Sequence, residues 1–147
     1  MIVDASVLLG AFFPDEAQPQ AQLLLRQHAA GQVRLKAPRL LLYEVSNAVW
    51  QAERRGRILK AQAEEILRTA SALQIELLSL EWGEMLPLAR RFGRSAYDAA
   101  YLTLADRTND QFITGVERLY NAVHPKLDWV VWIGDYTQEF SADHPEN

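Results

Sequence analysis

Apolar residues along this chain fall into short solid runs, separated by stretches in which they recur every third or fourth position. Ile2-Val3 is a fully apolar strand that ends at Asp4, and helical spacing follows to Phe12 or Phe13. Pro14-Asp15-Glu16 predicts the start of a second helix that stops at Gly31. Val33 to Ala37 alternates and ends at Pro38, a second strand. From Leu40 to about Arg55, apolar residues at 41, 45, 48, 49 and 52 mark a helix that Gly56 closes. The same reading gives a helix from Lys60 to Leu73, a strand at Ile75–Leu78, and a helix from Glu81 to Phe92 with Gly93 as its cap. It then gives a helix from a Ser95 cap to about Arg107, a strand at Gln111–Thr114, a helix from Glu117 to Val123, and a last strand at Trp129–Ile133. Short apolar strands alternating with helices predict an α/β fold, a three-layer α/β/α sandwich around a mainly parallel sheet of about five strands. Ligands of such sheets gather at the carboxyl ends of the strands, where Asp4 and Thr114 both stand.

The length of 147 residues suits one domain. We expect it to span 1–136, with an acidic, poorly ordered tail over 137–147, and the polar stretch already reads as poorly ordered beyond Gly134. The formal net charge is −4, and Asp135, Glu139, Asp143 and Glu146 account for all of it, so the remainder is balanced. That balance hides a gradient. Arg34, Lys36, Arg39, Arg54, Arg55, Arg57 and Lys60 fall within positions 34–60 against only Glu44 and Glu53. Such a run suits either a face for a polyanion or a solvated helix end. The chain has no cysteine, which excludes disulfides, Cys-ligated zinc and thiol nucleophiles. No stretch reaches membrane-spanning length and Asp4 interrupts any signal-peptide start, so the expected location is the cytoplasm.

The candidate chemistry lies in three acids set in apolar frames: Asp4, Glu44 and Asp98. Asp is almost never buried unless it is paired or metal-bound, because an unpaired carboxylate in an apolar setting costs several kcal/mol. Each acid also has a structural reading. Asp4 could cap the helix after it, Glu44 could pair with Arg39, and Ser95-Ala96-Tyr97-Asp98 matches a capping box. Taken together, three such acids point to a convergent site for a hard divalent ion, which takes oxygen ligands and can activate water on a phosphodiester.

These residues carry a resemblance. Ile2-Val3-Asp4-Ala5-Ser6-Val7-Leu8-Leu9, the stretch from Pro38 to Ala48 around Glu44, and Ser95-Ala96-Tyr97-Asp98-Ala99-Ala100-Tyr101 resemble the motif blocks of PIN-domain ribonucleases, nearest to the VapC toxins of bacterial toxin–antitoxin pairs. Phe112-Ile113-Thr114, Arg118 to Ala122 and Trp132 to Tyr136 fit the same subgroup, so the resemblance runs from Ile2 to about Tyr136. It implies a Mg²⁺- or Mn²⁺-dependent endonuclease acting on RNA, inhibited by a VapB-like antitoxin and usually a homodimer. Carried over motif by motif, Asp4, Glu44 and Asp98 are the metal-binding acids, Thr114 is the hydroxyl residue after the fourth strand, and Ser6 orients Asp4.

One block departs from the pattern. The family typically carries a further acid two residues beyond the threonine, and this chain has Val116 there. Glu117 could reach in one residue later, or it could form a Thr114…Glu117 capping box. Arg39, Arg90, Arg91 and Arg94 are the candidate RNA contacts. Arg54-Arg55-Gly56-Arg57 is a second basic cluster, ranked behind the one that immediately precedes Asp98. The histidines share no spacing, and the four tryptophans read as core or interface.

Overall fold

A computed structural model describes residues 1–138, so the predicted tail lies outside the described residues from position 139 onward. Five strands form one sheet: β1 (Ile2–Val3), β2 (Lys36–Pro38), β3 (Glu76–Leu78), β4 (Phe112–Thr114) and β5 (Val130–Trp132). Their order is β3-β2-β1-β4-β5 and every pairing is parallel. The helices are α1 (Ala5–Phe12), α2 (Pro19–Ala29), α3 (Leu40–Arg54), α4 (Lys60–Ala72), α5 (Leu86–Phe92), α6 (Ala96–Thr108) and α7 (Glu117–Val123), followed by a 3-10 turn at Ile133–Asp135. β2 and β3 lie on one side of β1 and β4 and β5 on the other, and crossovers between parallel strands are right-handed as a rule. The two sets of helices therefore cover opposite faces.

The central strands are as short and apolar as their sequences imply. Ile2, Val3, Phe112 and Ile113 have no exposed surface, and Leu35, Ala37, Leu102 and Leu104 fill the space around them. A strand covered on both faces loses the period-two alternation and becomes a solid apolar run. No helix among the described residues is long and apolar enough to cross a membrane.

Three expectations are corrected. The second helix begins at Pro19, not Pro14, because Ala17 takes a left-handed conformation (φ 39°) and Gln18 is extended. Asp15 and Glu16 are left in a turn, where both carboxylates bind Arg57. The predicted helix from Glu81 is only α5: Gly83 is also left-handed (φ 76°), and the residues before Leu86 form turns. The chain beyond Gly134 is not loose throughout, since Tyr136 is buried and donates its hydroxyl hydrogen bond to Gln27 Oε1. Gly93 caps α5 (φ 61°) and Ser95 caps α6, as read from the sequence. Trp82 is 98% exposed and Trp50 53%, so neither belongs to the core.

Candidate active site

The strand order reverses between β1 and β4, and at such a point the helices diverge and leave a crevice beyond the carboxyl ends of the strands. Asp4 is the first residue past β1. Thr114 is the last of β4, and the register that pairs Val3 with Ile113 brings the two together. Asp4 occupies the cap position of α1, where its side chain makes no well-formed capping hydrogen bond although the Val7 N–H favours its charged form. Instead Thr114 Oγ1 donates to Asp4 Oδ2 at 2.5 Å and Ser6 Oγ donates to Asp4 Oδ1. The loop after β4 locks onto the same pair. The Gly115 N–H donates to Ser6 Oγ at 2.8 Å, and the Val116 N–H donates to Thr114 Oγ1 at 3.0 Å. A Cβ at position 115 would lie 3.2 Å from Ser6 Oγ, so glycine permits the close approach of loop and helix.

The carboxylate is costly where it stands. Asp4 is 5% exposed, and burial pushes its pKa up to about 6 against the pull of the Ser6 and Thr114 hydroxyls and the Val7 N–H; the charge of Glu44 adds to the rise. Glu44 shifts in the same direction, through burial first, with Tyr101 opposing and the charge of Asp98 adding. Glu44 does not pair with Arg39, whose Nε donates to Ser79 Oγ at 2.8 Å. Its partner is Tyr101, whose hydroxyl donates to Oε1 at 2.5 Å. Burial and the bond to Glu44 hold that phenol well above the ordinary tyrosine range.

Asp98 sits in the first turn of α6. Its N–H donates to Ser95 Oγ at 3.0 Å, but its carboxylate does not return the bond that a capping box requires. It takes Arg94 instead, at 3.2 Å from Nε and 3.1 Å from Nη2. The second predicted box also fails. Val116 is the cap of α7, the Thr114 hydroxyl is committed to Asp4, and Glu117 is exposed as the first residue of the helix. Arg90 and Arg91 are exposed on α5, with Arg91 over the ring of Phe92.

Asp4 therefore feels the charge of Glu44, and Glu44 that of Asp98, and neither Asp4 nor Glu44 has a cationic partner among the described residues. Among the described residues no three Asp, Glu or His side chains are drawn together tightly enough to grip an ion as they stand. The donor chemistry nevertheless fits one. All-oxygen ligands suit Mg²⁺ or Mn²⁺, and a divalent charge relieves burial and repulsion at once.

Tyr101 is the functional residue that the sequence did not single out, although its place three residues after Asp98 on one helix face was visible. Tyr101→Phe leaves a half-buried carboxylate short of its donor. It is expected to lower the unfolding free energy by about 1.5–3 kcal/mol, the range for hydrogen bonds to charged groups. An unchanged urea midpoint would count against the bond.

No protein-family model matches the chain. A curated relative, Ribonuclease VapC3 of Pyrobaculum aerophilum, is 30% identical over 118 residues, covering 78% of this chain and 87% of the relative. The crystal structure of PAE2754, also from Pyrobaculum aerophilum, superposes with a TM-score of 0.71 at 23% identity, covering 97% of this chain and 89% of that one. The second likeness concerns the fold, and the first extends through sequence across most of both proteins. The chain belongs to the VapC family of PIN-domain ribonucleases.

Proposed function

We propose that this protein is a divalent-metal-dependent endoribonuclease, the toxin of a toxin–antitoxin pair, which hydrolyses RNA phosphodiester bonds. The observation that carries the reading is Asp4: a buried carboxylate with a raised pKa and no cation, placed where the sheet reverses order and flanked by Glu44. Asp4, Glu44 and Asp98 would hold the ion, which is Mg²⁺ or Mn²⁺ by the hardness of its ligands. When bound, such an ion lends Lewis acidity to water and to the phosphodiester. The protein's own part is positional. Ser6 and Thr114 fix both oxygens of Asp4, Tyr101 fixes one oxygen of Glu44, and the locked loop at Gly115 keeps this arrangement rigid. Asp98 joins the set on leaving Arg94, an exchange of one cation for another.

A VapB-like antitoxin and a second copy of the chain are the partners this reading implies. Exposed Leu42, Tyr43 and Trp50 on α3, with Trp82 and Leu86 near α5, offer apolar surface for them.

Cleavage of a panel of tRNA, single-stranded RNA and single-stranded DNA under Mg²⁺, Mn²⁺ or EDTA tests the proposal. RNA cutting that EDTA stops is expected; cutting indifferent to EDTA, or confined to DNA, would overturn it. One observation favours a second reading, a binding module with little turnover: Val116 stands where the family carries a further acid, and its side chain is 37% exposed at the rim. We expect the natural chain to cut and Val116→Asp to cut several-fold faster. Aspartate is also the better cap for α7, worth about 1 kcal/mol. Cleavage by the variant alone would establish the second reading.

A further inference from the structure

A cleft of about 620 Å³ leads away from the acids. Ser6 and Gly115, the two residues that lock Asp4, line it, as do Gln18, Gln51, Trp132 and Arg55. Its course follows two helices. On α3, Ala48, Gln51 and Arg55 come four, seven and eleven residues after Glu44, along one face. At about 1.5 Å per residue, Arg55 lies roughly 16 Å along the helix axis from Glu44. On α1, Leu9, Gly10 and Phe13 continue the wall from Ser6 towards Arg57.

The two arginines of this cleft differ in what they are free to do. Arg57 donates to Asp15 at 2.7 and 2.8 Å and to Glu16 at 2.7 Å, and it stacks 4.1 Å from the centre of the Phe13 ring. Its single charge is more than matched by the two carboxylates, and it pins the Pro14–Glu16 turn as part of the wall. Arg55 is exposed, and among the described residues its side chain has no hydrogen bond or ion pair. An unpaired guanidinium at the end of a trough that starts at the cutting site is a planar, five-donor phosphate contact awaiting its ligand. The cluster preferred from sequence is less available. Arg90, Arg91 and Arg94 do not line the cleft.

We infer that the α1–α3 cleft carries the RNA strand to one side of the scissile bond, and that Arg55 is a positioning residue holding a phosphate several nucleotides away. The inference rests on the ribonuclease reading and adds the strand's path. Arg55 is too far from the acids to touch the reacting phosphate. Its contact is therefore the same in ground and transition states and acts on binding, not on the chemical step. Glutamines 18 and 51 offer hydrogen bonds along the way, and Trp132 offers an apolar surface.

The test uses steady-state cleavage of a labelled single-stranded RNA and of a dinucleotide too short to reach Arg55, at several salt concentrations. On the long RNA, Arg55→Ala is expected to raise KM about tenfold with kcat nearly unchanged and to lower the salt slope by about one, the signature of one lost phosphate contact. Arg55→Lys should recover much of the loss. Arg34→Ala, which removes the same charge from outside the cleft, should match the natural chain, as should Arg55→Ala on the dinucleotide. If the natural chain cuts RNA with Mg²⁺ and Arg55→Ala cuts the long substrate with unaltered KM and salt slope, this path is wrong and the ribonuclease reading stands. If the natural chain cuts no RNA under any metal, both fall together. Because Arg55 has no partner to lose, melting temperatures should be equal, so a changed KM reports on the strand and not on folding.

Discussion

Asp4→Asn is expected to stop RNA cleavage and, in the absence of metal, to make the protein harder to unfold. The two effects have one cause. Burial lifts Asp4 from 3.8 to about 6, which costs its ionised form about 3 kcal/mol above pH 7, at about 1.4 kcal/mol per tenfold change in proton affinity. Asparagine has the same shape and carries no charge into the apolar surroundings; its Oδ1 still accepts from one of the two hydroxyls, while its Nδ2 donates to the other, which gives up its own acceptor. A gain of about 1–3 kcal/mol at pH 7.5 without metal is the expected outcome, with a higher melting temperature by roughly 2–4 °C per kcal/mol. Cleavage should fall by roughly 10²–10³-fold or more, as when a group that stabilises developing charge is removed. Stability held below its optimum at a working site is a common consequence of function. If Asp4→Asn unfolded more easily in EDTA, Asp4 would be a structural carboxylate. If it cut RNA at the natural rate, the site would lie elsewhere.

Stability without metal is expected to decline as pH rises from 4.5 to 7.5, and Mg²⁺ is expected to cancel much of the decline. The sign follows from which state holds the proton. Between 3.8 and about 6 the folded chain keeps a proton on Asp4 that the unfolded chain has released. The stabilisation is therefore complete below the unfolded pKa and is lost as pH rises through the folded one. Glu44 shifts upward too and works in the same sense. Asp15 and Asp110 are held below their ordinary pKa, so their contributions vanish only in more acidic solution, below the chosen window. An ion bound only to the folded, ionised site stabilises it by about 2.7 kcal/mol at a hundred times its Kd. Chemical denaturation in EDTA and in saturating Mg²⁺ measures both effects. Asp4→Asn isolates the Asp4 share, since its metal-free curve should be flatter than that of the natural chain. Parallel curves for the two proteins, or no response to Mg²⁺, would count against a cation at these acids.

Much of the architecture was legible because the elements that matter are governed by local rules. A strand covered on both faces must be apolar throughout, and this marked β1, β4 and β5. Gly93, Ser95 and Gly56 marked helix ends through conformations and hydrogen bonds that need no distant partner. The errors share a different origin. Pro14 is a plausible helix start, but the left-handed Ala17 breaks it, and Arg57, more than forty residues away, holds Asp15 and Glu16 in the turn. Residues 81–85 have helical composition, yet Gly83 adopts a left-handed conformation and delays α5. Tyr136 reads as part of a polar tail, but its partner Gln27 lies on α2.

The candidate site divides in the same way. By itself the sequence determined the parallel α/β plan and the three acids in apolar frames, which are properties of residue type and short spacing. The resemblance to the family's motif blocks added the pairing of Ser6 with Asp4 and the departure at Val116. Only the tertiary structure decided which donors the acids take. Two capping boxes allowed by the sequence do not form: the Asp98 carboxylate takes Arg94 as its donor in place of the Ser95 N–H, and the Thr114 hydroxyl donates to Asp4 while it accepts from the Val116 N–H. The structure also decided that Tyr101 serves Glu44, and that, among the described residues, Arg57 of the cleft is paired and Arg55 is not. Hydrogen bonds and ion pairs are contests between groups distant in sequence, and their outcome exists only once the sheet has fixed where each competitor stands.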